Sequence, residues 1–405
     1  MTDDPDVRSR VTVLAGFSPA ATEAVTRALL AGSDRRLLVV SHDLSGVREG
    51  LVHRTVRTAA GVLDSGLTEL VHGCVSCTLR EDVLPTLVRL SRQHPGDDLL
   101  LALPPAVEPE AVATAAAHTV VDGTAVLNAV RFDSFVTVVE ATALLGDLAT
   151  TDDLRDRDLH AAAADDRAVA DVVSRQIEFA DTLVLWGTAT AEAALLQHLA
   201  PWAALVRIGE RTEVDCRALA ARVLRTARHD PGVPGMPERA LQGYPIGIHE
   251  PAGPHGVTAL LFHSRRPFHP QRLNDALDDL TGEALRGRGQ LWIASQGDTA
   301  IAFESAGGGL RLGSLGPWLA ALPRERWSEA APMRRLAADA GWDPYYGDRR
   351  TVLSFVGFGL DTEALTALLT ACLLTDAEIA EGEAAWRRLP DPFAGCFPAA
   401  VAAGT

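Results

Sequence analysis

The chain has 405 residues, a formal net charge of −16, 47% hydrophobic and 22% charged side chains; that is ordinary globular composition, long enough for two domains with a core in each. The acidic balance leaves no surplus of basic groups to displace phosphate counterions, which argues against nucleic-acid binding. No apolar run approaches the roughly 18 residues of a membrane helix, the acidic start is no signal peptide, and five cysteines with one close pair make no secreted disulfide framework. The expected location is therefore the cytoplasm, away from any membrane.

In chain order, residues 1–10 are polar and expected to be flexible. Residues 11–15 (VTVLA) read as a buried strand, Gly16-Phe17-Ser18-Pro19 as a turn, and 20–30 as a helix. A second buried strand at 37–41 ends in His42-Asp43. Residues 67–71 (LTELV) read as a short β-prone run, and 79–90 has helical periodicity with Thr78 as N-cap. Strands follow at 99–103, 135–139, 182–186 and 204–208, with helices from 108, over 167–180 and at 191–199. Short apolar strands alternating with helices predict an α/β fold with a mostly parallel sheet covered on both faces. Residues 230–243 (DPGVPGMPERALQG) are Pro- and Gly-rich and read as a linker. Beyond it come strands at 257–263, 290–295, 299–304, 310–312 and 351–358, with helices at 270–280, 362–373 and 376–387. That order predicts a smaller α+β domain with an antiparallel sheet. The division is thus residues 1–10, a first domain at 11–229, the linker, and a second domain at 244–405.

The chemistry concentrates in VHGCVSCTLRED, residues 71–82, where Cys74 and Cys77 sit three apart and His72 precedes them. Placed where a strand gives way to a helix, the thiols are expected to gain thiolate character from the helix N-terminus. Cys-x-x-Cys suits zinc, inert packing or redox exchange. His42-Asp43 could converge on the same sheet edge, although capping or a loop hydrogen bond is the more ordinary use. Cys216, Cys372 and Cys396 are isolated, and Cys372 lies on an apolar helical face. The histidines of the second domain are too widely spaced for a metal-gathering tract. The chain contains no lysine, so all 37 basic residues are arginine and no lysine-dependent chemistry is available.

The string HGCVSCTLREDVLPTLVRL resembles the cysteine-motif region of the CobW-like family, P-loop GTPases linked to metal trafficking and cobalamin metal insertion. Ser76 stands at the family's middle cysteine. GRGQLWIAS (287–295), GDRRTVLSFVG (347–357) and LLTDAE (373–378) resemble the family's C-terminal domain. The ending WRRLPDPF (386–393) is similar to the actinobacterial branch described as recruiting a ribosome hibernation factor under zinc limitation. The resemblance implies a P-loop-NTPase-like domain followed by a CobW C-terminal-like domain, over about residues 11–393.

Against that family pattern the nucleotide positions fail. Gly16 opens the loop, but Ala21 replaces its second glycine, Thr22 the phosphate-binding lysine, and Glu23 the magnesium-binding hydroxyl. Ala102-Leu103-Pro104-Pro105 stands where the family has Glu-Ser/Thr-Thr-Gly, and Pro105 has no N–H to offer a γ-phosphate. Trp186-Gly187-Thr188-Ala189 stands at the guanine-reading motif, with no carboxylate at Ala189 and an indole to fill the base pocket. Losing the lysine contact alone removes about 1.5–3 kcal/mol. The expectation is a pseudo-GTPase scaffold without bound GTP or Mg²⁺, with Zn²⁺ held by Cys74, Cys77 and His72. It would serve a protein partner, the ribosome or a hibernation factor being what the resemblance implies. The alternative is a GTP-dependent zinc metallochaperone with arginine (Arg27 or Arg80) in lysine's place, and a thiol–disulfide protein is the third reading.

Overall fold

A computed structural model describes residues 8–162, 165–209, 214–282 and 284–397. The expectation for residues 1–7 lies outside these, whereas Ser9 and Arg10 already belong to the first strand. The chain forms two compact units, Met1–Asp230 and Pro231–Thr405. Residues 236–239 of the stretch read as a linker form a helical turn with Met236 and Arg239 buried.

The first unit is built on strands β1 (Ser9–Gly16), β2 (Leu37–Asp43), β3 (Leu51–Thr58), β4 (Gly61–Glu69) and β5 (Asp98–Ala102). A two-residue pair, β6 (Val120–Val121) with β7 (Thr124–Ala125), stands apart. β8 (Val130–Glu140), β9 (Thr182–Trp186) and β10 (Ala204–Ile208) complete the large sheet. Its order is β10-β9-β8-β1-β5-β2-β3-β4. The strands from β10 to β2 are parallel, and β3 and β4 close the far end as an antiparallel hairpin. Alternate residues of the parallel strands bury into two cores. Val11, Val13, Leu38, Val40, Leu99 and Leu101 face one core, and Leu14, Val39, Leu100, Val136 and Val184 face the other. That is the double burial expected of near-continuous apolar strands.

The helices that matter for the site are α1 (Pro19–Gly32), α2 (Val75–Thr78) and α3 (Leu84–Gln93). Between α2 and α3 the backbone widens into a single π-turn over Leu79–Val83, in which the Leu84 N–H bonds the Leu79 carbonyl. Pro85 explains the widening, because it cannot donate to the carbonyl four residues back. Thr78 is not the N-cap predicted for this helix. Cys74 caps it, and the Thr78 hydroxyl donates to the Cys74 carbonyl at 3.0 Å.

In the second unit β11 (Val257–Ser264), β12 (Arg286–Leu291), β13 (Thr299–Ala306), β14 (Gly309–Pro317) and β15 (Thr351–Phe358) form an antiparallel sheet ordered β11-β15-β12-β13-β14. Leu273 and Leu280 of the helix Pro270–Gly282 and Leu369 of the helix Thr362–Cys372 cover its apolar face of Leu291, Phe303, Leu353 and Phe355. LLTDAE has a structural use here. Thr375 and Glu378 form a reciprocal capping box on the helix Asp376–Ala380, and Arg272 forks onto Glu378 at 2.9 and 2.7 Å. Among the described residues no helix is long and apolar enough to cross a membrane.

Arg272 and the Thr375 N–H hold the Glu378 carboxyl down at about 2, against an ordinary 4.5. The unfolded chain therefore binds more protons between those values, so this contribution is complete above pH 4.5 and is lost as pH falls toward 2. Acid unfolding of the second unit followed by tryptophan fluorescence is expected to flatten over that window in Glu378→Gln; an unchanged slope would remove the assignment.

Candidate functional site

The loop between β1 and α1, where the family has its phosphate loop, is filled from within. The Ser18 hydroxyl accepts from the Ala21 N–H at 3.3 Å and donates to Glu140 Oε2, at the end of β8, at 2.5 Å. The first turn of α1 thus has an internal acceptor in the position an anion would use. Thr22 is buried, and a Cβ added at Gly16 would lie 2.4 Å from its Oγ1, so the threonine fills the centre of the loop. Glu23 is not a free repelling charge: Arg57 of β3 forks onto it at 2.9 and 2.5 Å, and Arg27 approaches to 3.7 Å. The cavity beside the loop, lined by Phe17, Ser18, Glu140, Val173 and Gln176, measures about 20 Å³, space for roughly one water.

The other two nucleotide positions are occupied in the same way. Gln176 Nε2 donates to the carbonyls of Pro105 and Val107 at 2.7 and 3.1 Å, tying down the corner after β5. Trp186 packs half-buried against the cluster that includes Ala21, Val25, Val184 and Ile208. Ala189 sits at the N-cap of the helix Thr190–Leu199 with no side-chain hydrogen bond to offer.

The thiol loop lies beyond β4. Gly73 passes so close to Val47 that a Cβ would stand 2.0 Å from the Val47 carbonyl oxygen, so only glycine fits there. Cys74 Sγ accepts from the Cys77 N–H at 3.4 Å. Glu81 Oε2 accepts from the Val71 N–H at 3.2 Å and also reaches the Cys77 thiol. The thiolate expected of a helix N-terminus does not follow for Cys77: contact with Cys74, then burial, then Glu81 push its pKa up. A helix of one turn has little dipole to set against these. Cys74 and Cys77 are both free thiols. His72 is exposed and is not gathered into a donor set with them; among the described residues no group of three or more His, Cys, Asp and Glu side chains is arranged to hold a metal ion. The pair would supply two soft donors that suit zinc chemically.

His42 and Asp43 are turned to internal work. His42 Nε2 lies 3.3 Å from Asp82 Oδ2 with both side chains buried, and Asp43 accepts from the Ser45 N–H at 2.9 Å, which lowers its pKa. Asp82 also takes a hydrogen bond from Arg54 of β3 and one from the Thr86 hydroxyl at 3.4 Å. Arg54 continues to Asp64 of β4 at 3.5 Å, and Arg89 of α3 meets Asp64 at 2.8 Å. Arg80, one of the arginines considered for phosphate, is exposed and donates to the Ser76 carbonyl. Sequence reasoning missed Arg54, Arg57, Asp82 and Gln176; the alternation of LVHRTVRT, which sends Arg54 and Arg57 to opposite faces of β3, was the available signal.

These features define a P-loop-type α/β domain with an altered nucleotide loop, joined to an antiparallel-sheet domain. Residues 10–210 match the CobW/HypB/UreG nucleotide-binding domain and residues 257–373 the cobalamin synthesis protein CobW C-terminal domain. The chain belongs to the CobW family. It is similar to the zinc chaperone Rv0106 of Mycobacterium tuberculosis, at 34% identity over 96% of this chain and 93% of that one. It is also similar to zinc-regulated GTPase metalloprotein activator 1 of Dictyostelium discoideum, at 27% identity over 94% and 83%. The Zn(II)-bound YjiA GTPase of E. coli matches over 91% of this chain and 99% of its own at 14% identity, with a TM-score of 0.37.

Asp82→Ala would leave His42 buried without its partner and Arg54 with only the longer contact to Asp64, so a loss of about 3–5 kcal/mol is expected in chemical denaturation. A loss below about 1 kcal/mol, the range of an exposed pair, would mean that solvent already screens this network.

Proposed function

We propose that this chain is a zinc-handling binding protein of the CobW family whose nucleotide site is closed, a pseudo-GTPase. The observation that carries the reading is the first turn of α1, where the Glu23 carboxylate under the Arg57 fork takes the field that a triphosphate needs. Support comes also from Ser18 on the helix N-terminus and from the cavity of about 20 Å³. Zinc is the cargo, held by Cys74 and Cys77. Metal binding must release the thiol protons, and further donors must come from solvent or from a partner. The relatives named as zinc chaperone and zinc-regulated metalloprotein activator favour this metal. With the nucleotide site closed, the thiol loop and the second unit are left to make protein contacts. A ribosome or hibernation factor is the partner that the sequence resemblance implies.

Isothermal titration with GTP, GDP and ATP is expected to give no binding at micromolar concentration. Micromolar affinity for any of them would instead favour the GTP-dependent chaperone, with Arg57, which forks onto Glu23, as the arginine in lysine's place. Zinc-stimulated phosphate release lost in Arg57→Ala would complete that case.

Zinc is tested separately. About one Zn²⁺ per chain is expected by competition with a chromophoric chelator, weakened at least about tenfold by Cys74→Ser or Cys77→Ser. Zinc content unchanged in the double variant would place the metal elsewhere and end the thiol assignment.

A further inference from the structure

We infer that the open cavity along α3 is a docking site for an acidic peptide segment of a partner protein, seated next to the thiol loop. The cavity measures about 580 Å³ and lies wholly within the first unit. Arg80, Arg89 and Arg92 line it from the helical run that begins at the cysteines, and Arg54 of β3 and Val120 and Val121 of β6 complete the wall. Four guanidiniums around one cavity stand out in a chain of net charge −16. A second cavity of about 470 Å³ adjoins it: Arg80 lines both, and Ser76, between the two cysteines, lines the second. Arg80 belongs to the π-turn, and such single widened turns recur at functional sites.

The arginines are positioned without being used up. Arg89 donates to Asp64 at 2.8 Å and to Gln93 at 3.3 Å, and Arg92 donates to the Thr124 hydroxyl at 3.0 Å and lies 3.5 Å from Asp122. The two-residue turn Asp122-Gly123, with φ of 48° and 75°, is of the kind that closes tight hairpins and sets both partners of Arg92. Even so, the Arg89 and Arg92 side chains are 37% and 47% exposed. Arg80 donates only through Nε, to the Ser76 carbonyl, and its two terminal nitrogens have no partner among the described residues. Against the four arginines stand Asp82 and Asp122 in the wall and Asp64 behind it, so the charge of Arg80 is left over. A surplus of one suits carboxylates met singly and not a nucleic-acid or polyphosphate backbone, which needs many cations. The spread of the arginines selects an extended occupant. Arg80 and Arg92 are twelve residues apart, about 18 Å along the helix, which an extended segment of about six residues spans with alternate side chains on one side. The guanidinium fork matches a carboxylate in plane. The inference rests on the proposed reading for its place beside a zinc cargo, but the binding itself needs neither zinc nor a closed nucleotide loop.

The test is fluorescence anisotropy of the full chain with a labelled, capped peptide of alternating glutamate and alanine, about six residues long. Saturable binding is expected at low salt, weakening as salt rises. Arg80→Ala is expected to weaken it about fivefold or more and Arg92→Glu about tenfold or more, with circular dichroism and zinc content unchanged. Arg388→Glu, at an exposed site in the second unit, is expected to leave the affinity as it was. Peptide binding is also expected to persist when Cys74 and Cys77 are both changed to serine, so failure of the zinc assignment and failure of this one are separate results. No saturable binding, equal binding of a lysine–alanine peptide, an equal loss in Arg388→Glu, or displacement by inorganic phosphate as effective as by unlabelled peptide would overturn the proposal.

Discussion

One buried carboxylate holds the thiol loop to the sheet. Asp82 sits one turn past Cys77 and meets His42 of β2 and Arg54 of β3, while the Thr86 hydroxyl closes its remaining side. Taking such a group out of water costs several kcal/mol, and only partners on two different strands offset it. The two strands, the π-turn and α3 must therefore be in register before the carboxylate is satisfied. The balance favours ionisation, since His42 and Arg54 outweigh burial and hold the Asp82 pKa below the ordinary value. Cys74 and Cys77 take their places from this anchor on one side and from the approach of Gly73 to Val47 on the other.

The nucleotide loop shows the same logic applied to closure. A working phosphate loop keeps backbone N–H groups and a cation unsatisfied until the ligand arrives. Here Ser18 accepts from an N–H of the helix N-terminus, Glu23 takes Arg57, and the carbonyls of Pro105 and Val107 take Gln176. A bound triphosphate would have to displace a charge-assisted fork and reopen a packed cavity. Both costs precede any gain from binding. On the proposed reading, the substitutions at Ala21, Thr22 and Glu23 are compensated losses, which is how a domain would remain folded after its ligand contacts had gone.

How much of this was legible in the sequence depended on the range of the interaction. The parallel strands and the split into two units announced themselves as short apolar runs and a Pro/Gly-rich stretch, since double burial forces continuous hydrophobicity. The hairpin did not. LVHRTVRT and GVLDSGLTE alternate apolar with polar and charged residues, and only the tail of the second, at 67–71, looked β-prone. The cap was misplaced because a cysteine is a rare N-cap, and Thr78 offered the more familiar hydroxyl. Glu23 was read as an uncompensated charge because its partner, Arg57, is 34 residues away. No local pattern encodes that distance. The cysteines were found by spacing alone, but the raised pKa of Cys77 is set by contact with Cys74, by burial and by Glu81, which spacing does not reveal.

The hairpin missed from sequence is the element through which these parts meet. Its strand β3 carries Arg57 on one face, toward α1, and Arg54 on the other, toward Asp82, because successive side chains alternate across a strand and these two stand three apart. Its strand β4 runs directly into the thiol loop. In a nucleotide switch, an element with those contacts would follow the ligand, since the charge it grips comes and goes. Here that charge is Glu23, covalently part of α1, so the grip does not depend on an exchangeable group. A change of state at the thiols would then have to be driven from the thiol end, by metal, by proton release or by a partner, because differential affinity is the only source of a shift. On the proposed reading, a scaffold inherited from a nucleotide-driven family is left with its metal-facing end as the sole point of control.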